Sequence, residues 1–473
     1  MKIILSFVII LLISKIKTHN VLRIPFKTLS YPLQSSSKLN SINSIILSLI
    51  RNDIYLSLEV GSPPQKITSF IKFEEFPFFI SGKNIIYSQY DESLSLTYKS
   101  EKYPHAFLEG TEKIKWGLVS NDTFNLISNN TNIKIERLNF ILVSESRTNS
   151  TSNIGLMIPD KYNSIPDISF IYQLKKLKII NDYNFLINYT NSEKNEGELI
   201  IGSTPHIYDV NNFNQKYYRT TYAIEKPNYM MYGLNFDEIL IGENGDKLSG
   251  TRQSKFLCDF GLIVGSIDYY EYIYKNFFEK KIEEKKCYLK NITLNIEWRE
   301  GEKNYEFFYC EKKFINIKEM QNIFKIKFDH REMNYTFDFN FEELFYEKDE
   351  LYFFKIIFNH KNNFYWIFGK PWLSKYIMVF NQDSKTIGHY YINNDNVFNK
   401  KSKNNTDKIN WVLMGIICLL ILFISIYGIW MINFYKKGRK KRVNEIKDEF
   451  DYSLQKEHNK NFINNNINLG LDN

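Results

Sequence analysis

Residues 21–392 carry their hydrophobic side chains in short runs, alternating or continuous, separated by turn-forming residues. Alternation with a period of two puts successive side chains on opposite faces of a strand, so the pattern predicts strands of about 4–8 residues. Two segments, Ile165–Leu177 and Asp268–Glu283, instead space their apolar residues by three and four, which is typical of a helix. The sequence therefore predicts an all-β fold with minor helices. The runs that carry this prediction are Ile54–Val60, Ile67–Ile71, Phe140–Val143, Leu199–Ile201, Ile239–Ile241, Phe324–Phe328 and Tyr335–Phe341.

A separate segment, Trp411–Tyr435, is apolar and contains no charged residue. At about 1.5 Å per residue, a helix of this length crosses the hydrocarbon core of a bilayer. A dense basic run at residues 436–442 follows directly, and such runs mark the cytoplasmic side of a membrane. A helix buried in a protein core, which is the alternative, is not expected to carry this flank. We therefore expect one C-terminal transmembrane helix in a single-pass type I membrane protein, with residues 436–473 as its cytoplasmic tail.

Residues 1–20 combine Lys2 with the apolar run Ile3–Ile13, which is short for a spanning helix. This arrangement is typical of a signal peptide, with an uncleaved anchor as the alternative. The region between it and the predicted span is thus expected to lie in the extracellular space or in the secretory or endosomal lumen. Residues 393–410 are rich in Asn and Lys and are expected to form a flexible stalk.

The formal net charge of +8 would favour a nucleic-acid partner if it were concentrated on the globular region. The dense basic run lies instead beside the predicted span, where it has a membrane explanation. The 7 histidines are scattered, and neither a C-x-x-C nor an H-E-x-x-H pattern occurs. The sequence thus gives no support to nucleic-acid binding, to a metal site or to a cofactor.

The cysteine and asparagine positions fit an oxidising compartment. Cys418 lies inside the predicted span and Cys258 stands in an apolar run, which leaves Cys287 and Cys310 as the candidate disulfide. Two free thiols are the alternative. Several asparagines before the span stand in N-x-S/T triplets, so we expect a glycoprotein. These candidate glycosylation sites are Asn121, Asn129, Asn149, Asn188, Asn291, Asn334 and Asn404.

The segment Asn52–Gln65 reads NDIYLSLEVGSPPQ, in which a glycine and two prolines make a stiff turn after a strand. The segment resembles the opening of the pepsin-like aspartic peptidases (peptidase A1), in which Y-x-x-x-I-x-I-G-T-P-P-Q precedes a strand ending in D-T-G-S. Counting from Gln65 places Lys72 where that family has its first catalytic aspartate.

Further pieces resemble the same family and follow in its order along the chain. The resemblance implies a bilobal pepsin-like acid-protease fold over residues 52–392, with lobes of about 52–205 and 206–392 and a substrate cleft between them. Residues 21–51 are then a candidate for a short prosegment. The resembling pieces are Asn153–Leu156, Phe170–Tyr189, Gly197–Gly202, Tyr232–Gly242, Phe256–Gly261 and Trp366–Gly388.

Peptidases of this family hydrolyse an amide with a water held between two carboxyl groups, one from each lobe, which share a proton. The resemblance implies that Asp259 is the second-lobe aspartate, opposite Lys72. An ammonium cannot take part in such sharing, because it would hold Asp259 as an ion pair; a lysine that points into water is the alternative. Glu74 or Glu75 is a substitute acid in principle, although a carboxylate at these positions starts about 7–10 Å along an extended chain from the required place.

Other departures from the family pattern agree with lost catalysis. Phe260 and Leu262 stand where hydroxyl side chains would hydrogen-bond the two carboxyls, and the flap region Leu108–Gly117 has no clear tyrosine at the expected place.

Three functions remain open at this point. The first is a pseudo-peptidase that binds an extended peptide in its cleft without cutting it. The second is an active aspartic endopeptidase with a non-standard dyad, and the third is a glycosylated surface scaffold or adhesion protein. The expected partners are a peptide or protein ligand and the membrane, and the ectodomain is expected to be monomeric. Candidate apolar cleft residues are Phe73, Phe76, Phe78 and Phe79, for which burial in the core is the alternative.

Overall fold

The structure is a computed structural model. It describes residues 21–29, 42–73, 77–83, 90–102, 105–109, 113–128, 131–146, 151–157, 166–191, 195–226, 229–294, 296, 302–359 and 365–391, and, within 427–457, residues 427–428, 430–432, 435–436, 439 and 442–457. The chain divides into two compact units, Met1–Asp395 and Asn396–Asn473. The elements named below belong to the first unit.

Strands make up most of the regular structure in the described part of this unit, which confirms the all-β prediction. They are β1 (Leu22–Thr28), β2 (Ile54–Val60), β3 (Gln65–Lys72), β4 (Phe78–Ser81), β5 (Lys99–Ser100), β6 (His105–Glu109), β7 (Lys113–Ser128), β8 (Thr131–Ser146), β9 (Ser152–Gly155), β10 (Asn184–Asn191), β11 (Glu196–Ile201), β12 (Tyr218–Tyr222), β13 (Ile224–Lys226), β14 (Tyr229–Met231), β15 (Glu238–Ile241), β16 (Asp246–Lys247), β17 (Ser254–Phe256), β18 (Ile263–Gly265), β19 (Cys287–Leu294), β20 (Lys303–Glu311), β21 (Ile326–His330), β22 (Tyr335–Phe339), β23 (Phe345–Lys348), β24 (Leu351–Phe354), β25 (Ile356–Phe358), β26 (Trp366–Phe368), β27 (Met378–Asn381) and β28 (Thr386–Tyr390).

The helices are short. They are α1 (Ile42–Ile50), α2 (Phe170–Lys176), α3 (Pro205–Tyr208), α4 (Ile267–Ile273), α5 (Glu279–Glu283), α6 (Ile317–Ile323), α7 (Phe341–Leu344) and α8 (Lys370–Lys375), with a π-helical turn at Tyr274–Phe278 that joins α4 to α5. Single 3₁₀ turns lie at Glu92–Leu94, Pro166–Ile168, Gln215–Tyr217 and Lys312–Phe314. Both predicted helical segments thus contain a helix, and in each case a serine (Ser169 or Ser266) caps the first turn through its side chain.

The largest sheet has 14 strands in the order β12-β28-β27-β10-β11-β1-β2-β3-β9-β4-β8-β7-β5, with β6 paired to β7. Within it, β3 lies parallel to β9, β9 is antiparallel to β4, and β4 is parallel to β8. We call these four strands the first-lobe unit.

The same arrangement recurs later in the chain. In an 8-stranded sheet, β17 lies parallel to β26, β26 is antiparallel to β18, and β18 is parallel to β25. We call these four strands the second-lobe unit. A 4-stranded sheet, β16-β15-β21-β22, and the hairpin β13–β14 complete the strand pairing of the described residues. One unit repeated in two halves of the chain is the organisation that a bilobal fold requires.

An aromatic cluster joins the end of β3 to β10, to β27 and to the segment that precedes β15. Phe73 is 2% exposed, and its ring lies 5.3 Å from Phe185 and 5.1 Å from Phe380, with Tyr232 at 6.0 Å. Aromatic pairs at these separations contribute about 0.5–1.5 kcal/mol each beyond the area that they bury. The cluster therefore fixes the backbone just after Lys72.

The predicted disulfide is confirmed. Cys287 and Cys310 face each other across the antiparallel pair β19–β20, and their sulfurs are bonded. Cys258 is a buried free thiol, as the sequence predicted.

The segment predicted as a short prosegment contributes two elements to this unit. β1 lies inside the 14-stranded sheet, antiparallel to both β11 and β2. α1 contacts the second-lobe unit through Ile45, Ile46 and Ile50. Removal of the segment, and the lobe boundaries given above, stay predictions.

The predicted signal peptide 1–20 and stalk 393–410 lie outside the described residues, as does most of the predicted span Trp411–Tyr435. None of the helices that the described residues form is long and apolar enough to cross a membrane. In the second compact unit, residues 442–457 are helical. The membrane span and the topology stay predictions.

Candidate functional site

Lys72 is the last residue of β3, where the strand leaves the sheet. β3 pairs with β2 from Gln65 to Phe70, across the turn that the glycine and proline residues of the sequence predict. On its other side it pairs with β9, and Lys72 faces Gly155. The Lys72 carbonyl accepts a hydrogen bond from the Leu156 N–H at 2.9 Å. The backbone at this position is therefore held on both sides, which orients the lysine side chain.

Asp259 lies just after β17, in the loop that leads to β18. Asn52, 2% exposed, holds the backbone of this loop from the other half of the chain. Its N–H donates to the Asp259 carbonyl at 3.2 Å, and its Nδ2 donates to the Cys258 carbonyl at 2.8 Å. Nδ2 also donates to the Tyr189 hydroxyl at 2.7 Å. Asn52 thus fixes the loop that carries Asp259.

Lys72 and Asp259 form an ion pair. Lys72 Nζ lies 2.6 Å from Asp259 Oδ2, and the two side chains are 25% and 31% exposed. Of the two alternatives left open by the sequence, the structure has the ion pair and not a lysine pointing freely into water. The contact joins residues 187 positions apart, one from each repeated unit. It places an ammonium directly against the carboxylate that the resemblance assigned to catalysis.

Cys258 is buried between the two strand ends and donates from Sγ to the Ile71 carbonyl at 3.5 Å. Burial raises the pKa of the Cys258 thiol well above its usual value, and the nearby Asp259 carboxylate adds to this effect. The thiol therefore stays protonated and cannot act as a nucleophile. Its contact with the first-lobe strand is structural.

Of the aromatic residues considered as cleft walls, Phe73, Phe78 and Phe79 are core residues. All three are at most 2% exposed. Phe78 packs with Phe124 and Phe170 at ring separations of 5.5 Å. Burial in the core, the alternative, is therefore what the structure has for these three. Phe76 lies outside the described residues.

The predicted flap region Leu108–Gly117 falls on the hairpin of β6 and β7. Backbone pairing runs from His105 opposite Gly117 to Glu109 opposite Lys113. Residues 110–112, which join the two strands, lie outside the described residues, so the role of this hairpin as a flap stays a prediction.

The remaining predicted site residues are the substitute acid and the asparagines of the N-x-S/T triplets. Glu74 lies outside the described residues, so its role as a substitute acid stays a prediction. Among the candidate glycosylation sites, Asn291 and Asn334 are exposed, whereas Asn121 and Asn188 are half-buried. Asn129, Asn149 and Asn404 lie outside the described residues. Glycosylation stays a prediction.

Asn52 is a residue whose role the sequence did not reveal. It opens the segment NDIYLSLEVGSPPQ, and a polar residue directly before a strand was the available signal. The contribution of α1 was missed as well, because a short apolar run cannot be assigned to helix or strand by its pattern alone.

An open depression of about 900 Å³ lies elsewhere on the surface. It is lined by residues of β12 and of the turn between β21 and β22, and neither Lys72 nor Asp259 lines it. Two of its charged residues pair with each other, since Arg331 Nε lies 3.7 Å from Asp237 Oδ1. The depression is therefore separate from the contact between the two repeated units.

Comparison with known proteins agrees with this architecture. The family model described as "Eukaryotic aspartyl protease" matches residues 79–390, which is more than half of the chain. The matched range begins after Lys72. Among solved structures, basic 7S globulin from soybean is similar with a TM-score of 0.51 and 12% identity, covering 79% of this chain and 97% of the globulin. At this identity the likeness establishes a shared pepsin-like fold. No curated protein matches the sequence.

Proposed function

This chain belongs to the eukaryotic aspartyl protease family, and from that premise we propose that it is a non-catalytic member whose two-lobed region binds polypeptide without cleaving it. The observation that carries the proposal is the 2.6 Å contact between Lys72 Nζ and Asp259 Oδ2.

Amide hydrolysis by this family depends on two carboxyl groups that share one proton and hold a water between them. One carboxylate must accept a proton from the water while the other donates one to the developing oxyanion. An ammonium in the place of one partner carries no basic oxygen, and its hydrogen bond occupies the carboxylate of Asp259, the acid that it contacts. The water-activating arrangement is thereby lost on both sides of the contact.

Polypeptide binding requires the lobes and the flap and does not require the dyad. The repeated units are intact among the described residues, and the β6–β7 hairpin is formed. The ion pair is about one quarter to one third exposed, so solvent reaches the contact between the two units. These features support a binding role that does not depend on catalysis.

The sequence supports placing this region on a membrane, outside the cytoplasm. The apolar segment Trp411–Tyr435 with its basic flank is the support for a single-pass anchor. The disulfide between Cys287 and Cys310 fits an oxidising compartment. Among the described residues, the N-x-S/T triplets at Asn291 and Asn334 have exposed asparagines that are candidates for glycans.

The test compares wild-type full-length protein with the Asp259→Asn variant from pH 3 to pH 7. Denatured casein is the substrate, and products are identified by mass spectrometry with and without a statine-containing transition-state inhibitor. Retention of the same denatured polypeptide on immobilised protein measures binding. We expect no inhibitor-sensitive cleavage and measurable retention.

Two other results have definite meanings. Cleavage that both the inhibitor and Asp259→Asn abolish would establish the active endopeptidase with a non-standard dyad. The absence of both cleavage and retention would establish the scaffold function.

A further inference from the structure

The two repeated units share one register. In the first-lobe unit, Ile154 pairs with both Ile71 and Phe78. In the second-lobe unit, Phe368 pairs with both Phe256 and Ile263. Ile71 is therefore the counterpart of Phe256, and Phe78 that of Ile263. Ile71 and Phe78 are separated by the same number of positions along the chain as Phe256 and Ile263. The connections between these paired residues therefore have equal length.

Lys72 follows Ile71 in the first-lobe unit, and Leu257 follows Phe256 in the second-lobe unit. Lys72 lies opposite Gly155, the residue after Ile154. Leu257 donates its N–H to the Phe368 carbonyl at 3.0 Å, which in a parallel ladder places it opposite the next residue, Gly369. The register thus makes Leu257 the counterpart of Lys72.

The two glycines confirm this equivalence independently. Gly155 donates its N–H to the Pro77 carbonyl at 3.3 Å, and Gly369 donates its N–H to the Leu262 carbonyl at 3.1 Å. Pro77 follows Lys72 at the same distance along the chain as Leu262 follows Leu257. Asp259, in contrast, is the counterpart of Glu74.

We propose that Leu257, and not Asp259, stands at the second-lobe catalytic position, and that Leu257 now anchors an internal docking face for α1. The proposal deepens the non-catalytic function above and rests on it. The carboxyl groups of the family's dyad would then be absent from both lobes, and the sequence-based assignment of Asp259 would be displaced by two residues.

The docking face is an apolar cluster on one side of the second-lobe unit. Leu257 is 4% exposed there and shares the cluster with Ile45, Ile46 and Ile50 of α1, all of which are at most 6% exposed. The cluster is completed by Phe260, Leu262, Val264, Tyr305, Phe307, Phe353, Ile357 and Ile367. Leucine at the counterpart of Lys72 is the residue type that such a face needs, since a charged side chain there would be buried without water.

The corresponding face of the first lobe is different. By the same register, Phe79 and Ile141 correspond to Val264 and Ile357. They belong to a small separate cluster that contains no residue of α1. Lys72 keeps one quarter of its side chain exposed. The two lobes therefore bury their corresponding faces with different partners: Ile168 belongs to the first-lobe cluster, whereas α1 belongs to the second-lobe cluster.

Backbone contacts hold the end of α1 in place. Gly261 donates its N–H to the Ile50 carbonyl at 2.7 Å. A Cβ at Gly261 would come within 2.0 Å of the Leu49 carbonyl oxygen, so only glycine permits this approach. An apolar polypeptide segment that used the second-lobe face would have to displace α1 first.

Hydrogen exchange on the full-length protein tests the docking face. Leu257→Ala, with Leu257→Val as the milder variant, should speed amide exchange in residues 42–50 at least about tenfold, because the helix loses its anchor. The matched variant Asp259→Ala should leave exchange in these residues within about twofold of wild type. Equal effects of the Leu257 and Asp259 variants on residues 42–50 would overturn the proposal.

A second arm tests the catalytic position with Lys72→Asp. If Asp259 were the partner carboxyl, this one change would restore a dyad, and casein cleavage that Asp259→Asn abolishes would appear; that result would refute the assignment of Leu257. We expect no such cleavage. Failure of the proposed function would instead show as cleavage by the wild-type protein, so the two failures are distinguishable.

Discussion

A double-mutant cycle on Lys72 and Asp259 measures whether the ion pair holds the repeated units together. The variants are Lys72→Met, Asp259→Asn and the combination, each close in volume to the residue that it replaces. The N–O distance is 2.6 Å and the side chains are 25% and 31% exposed. Pairs on the surface contribute about 0.2–1 kcal/mol, whereas breaking a fully buried pair costs about 3–5 kcal/mol.

This partly exposed pair should therefore show a coupling free energy of about 1–2 kcal/mol. The destabilisation by the two single variants should sum to more than that of the double variant. The reason is that each single variant leaves one charge without its partner. The free energy of unfolding is followed by urea titration with tryptophan fluorescence, at constant m-value so that the comparison stays valid.

The matched control is the pair Lys176 and Asp167, which has a similar N–O distance of 2.7 Å but side chains that are 60% and 48% exposed. The same two substitutions there should give no measurable coupling. A coupling at Lys72 and Asp259 below about 0.3 kcal/mol would mean that solvent screens the contact fully and that the lysine does not join the two units.

Two further predictions concern stability. Burial lowers the pKa of His389 to about 4, while the unfolded chain titrates near 6.5. Between these pH values the His389 imidazole stays neutral in the folded state and is protonated in the unfolded state. The contribution of His389 to the free energy of unfolding is therefore complete above about pH 6.5 and falls by about 3 kcal/mol as the pH drops to about 4. Unfolding measured at several pH values should show this loss in the wild type and a smaller one in His389→Phe; identical profiles would contradict the linkage. The disulfide closes a loop with a sequence separation of 23. Its removal in Cys287→Ser/Cys310→Ser should therefore cost about 3 kcal/mol, and a reductant that leaves the wild-type melting temperature unchanged would refute the prediction.

The strands could be predicted from the sequence because period-two alternation is a local property. Ile54–Val60 was predicted with the bounds that β2 has, and Ile67–Ile71 lies within β3. The pairing of Cys287 with Cys310 was predicted by elimination, and the register of β19 and β20 decided it against two free thiols. The assignment of Lys72 to the first catalytic position, made by counting from Gln65, stays a prediction.

The tertiary structure alone decided what faces Lys72. Its ammonium meets Asp259 because Asn52 and the register of the two units bring together strand ends that are 187 residues apart. No local pattern carries that information. The apolar run Ile42–Ile50 similarly became a helix only where the second-lobe face could bury Ile45 and Ile46.

The choice between Asp259 and Leu257 shows where sequence patterns reach their limit. A shift of two residues along a strand leaves every side chain on the same face, so alternation cannot distinguish the two positions. Hydrogen bonds between strands are sensitive to such a shift, and those to Phe368 and from Gly369 select Leu257. The sequence determined that this chain forms strands and predicted a lysine at the first catalytic position, whereas only strand pairing determined which residue of the second-lobe unit is the counterpart of that lysine.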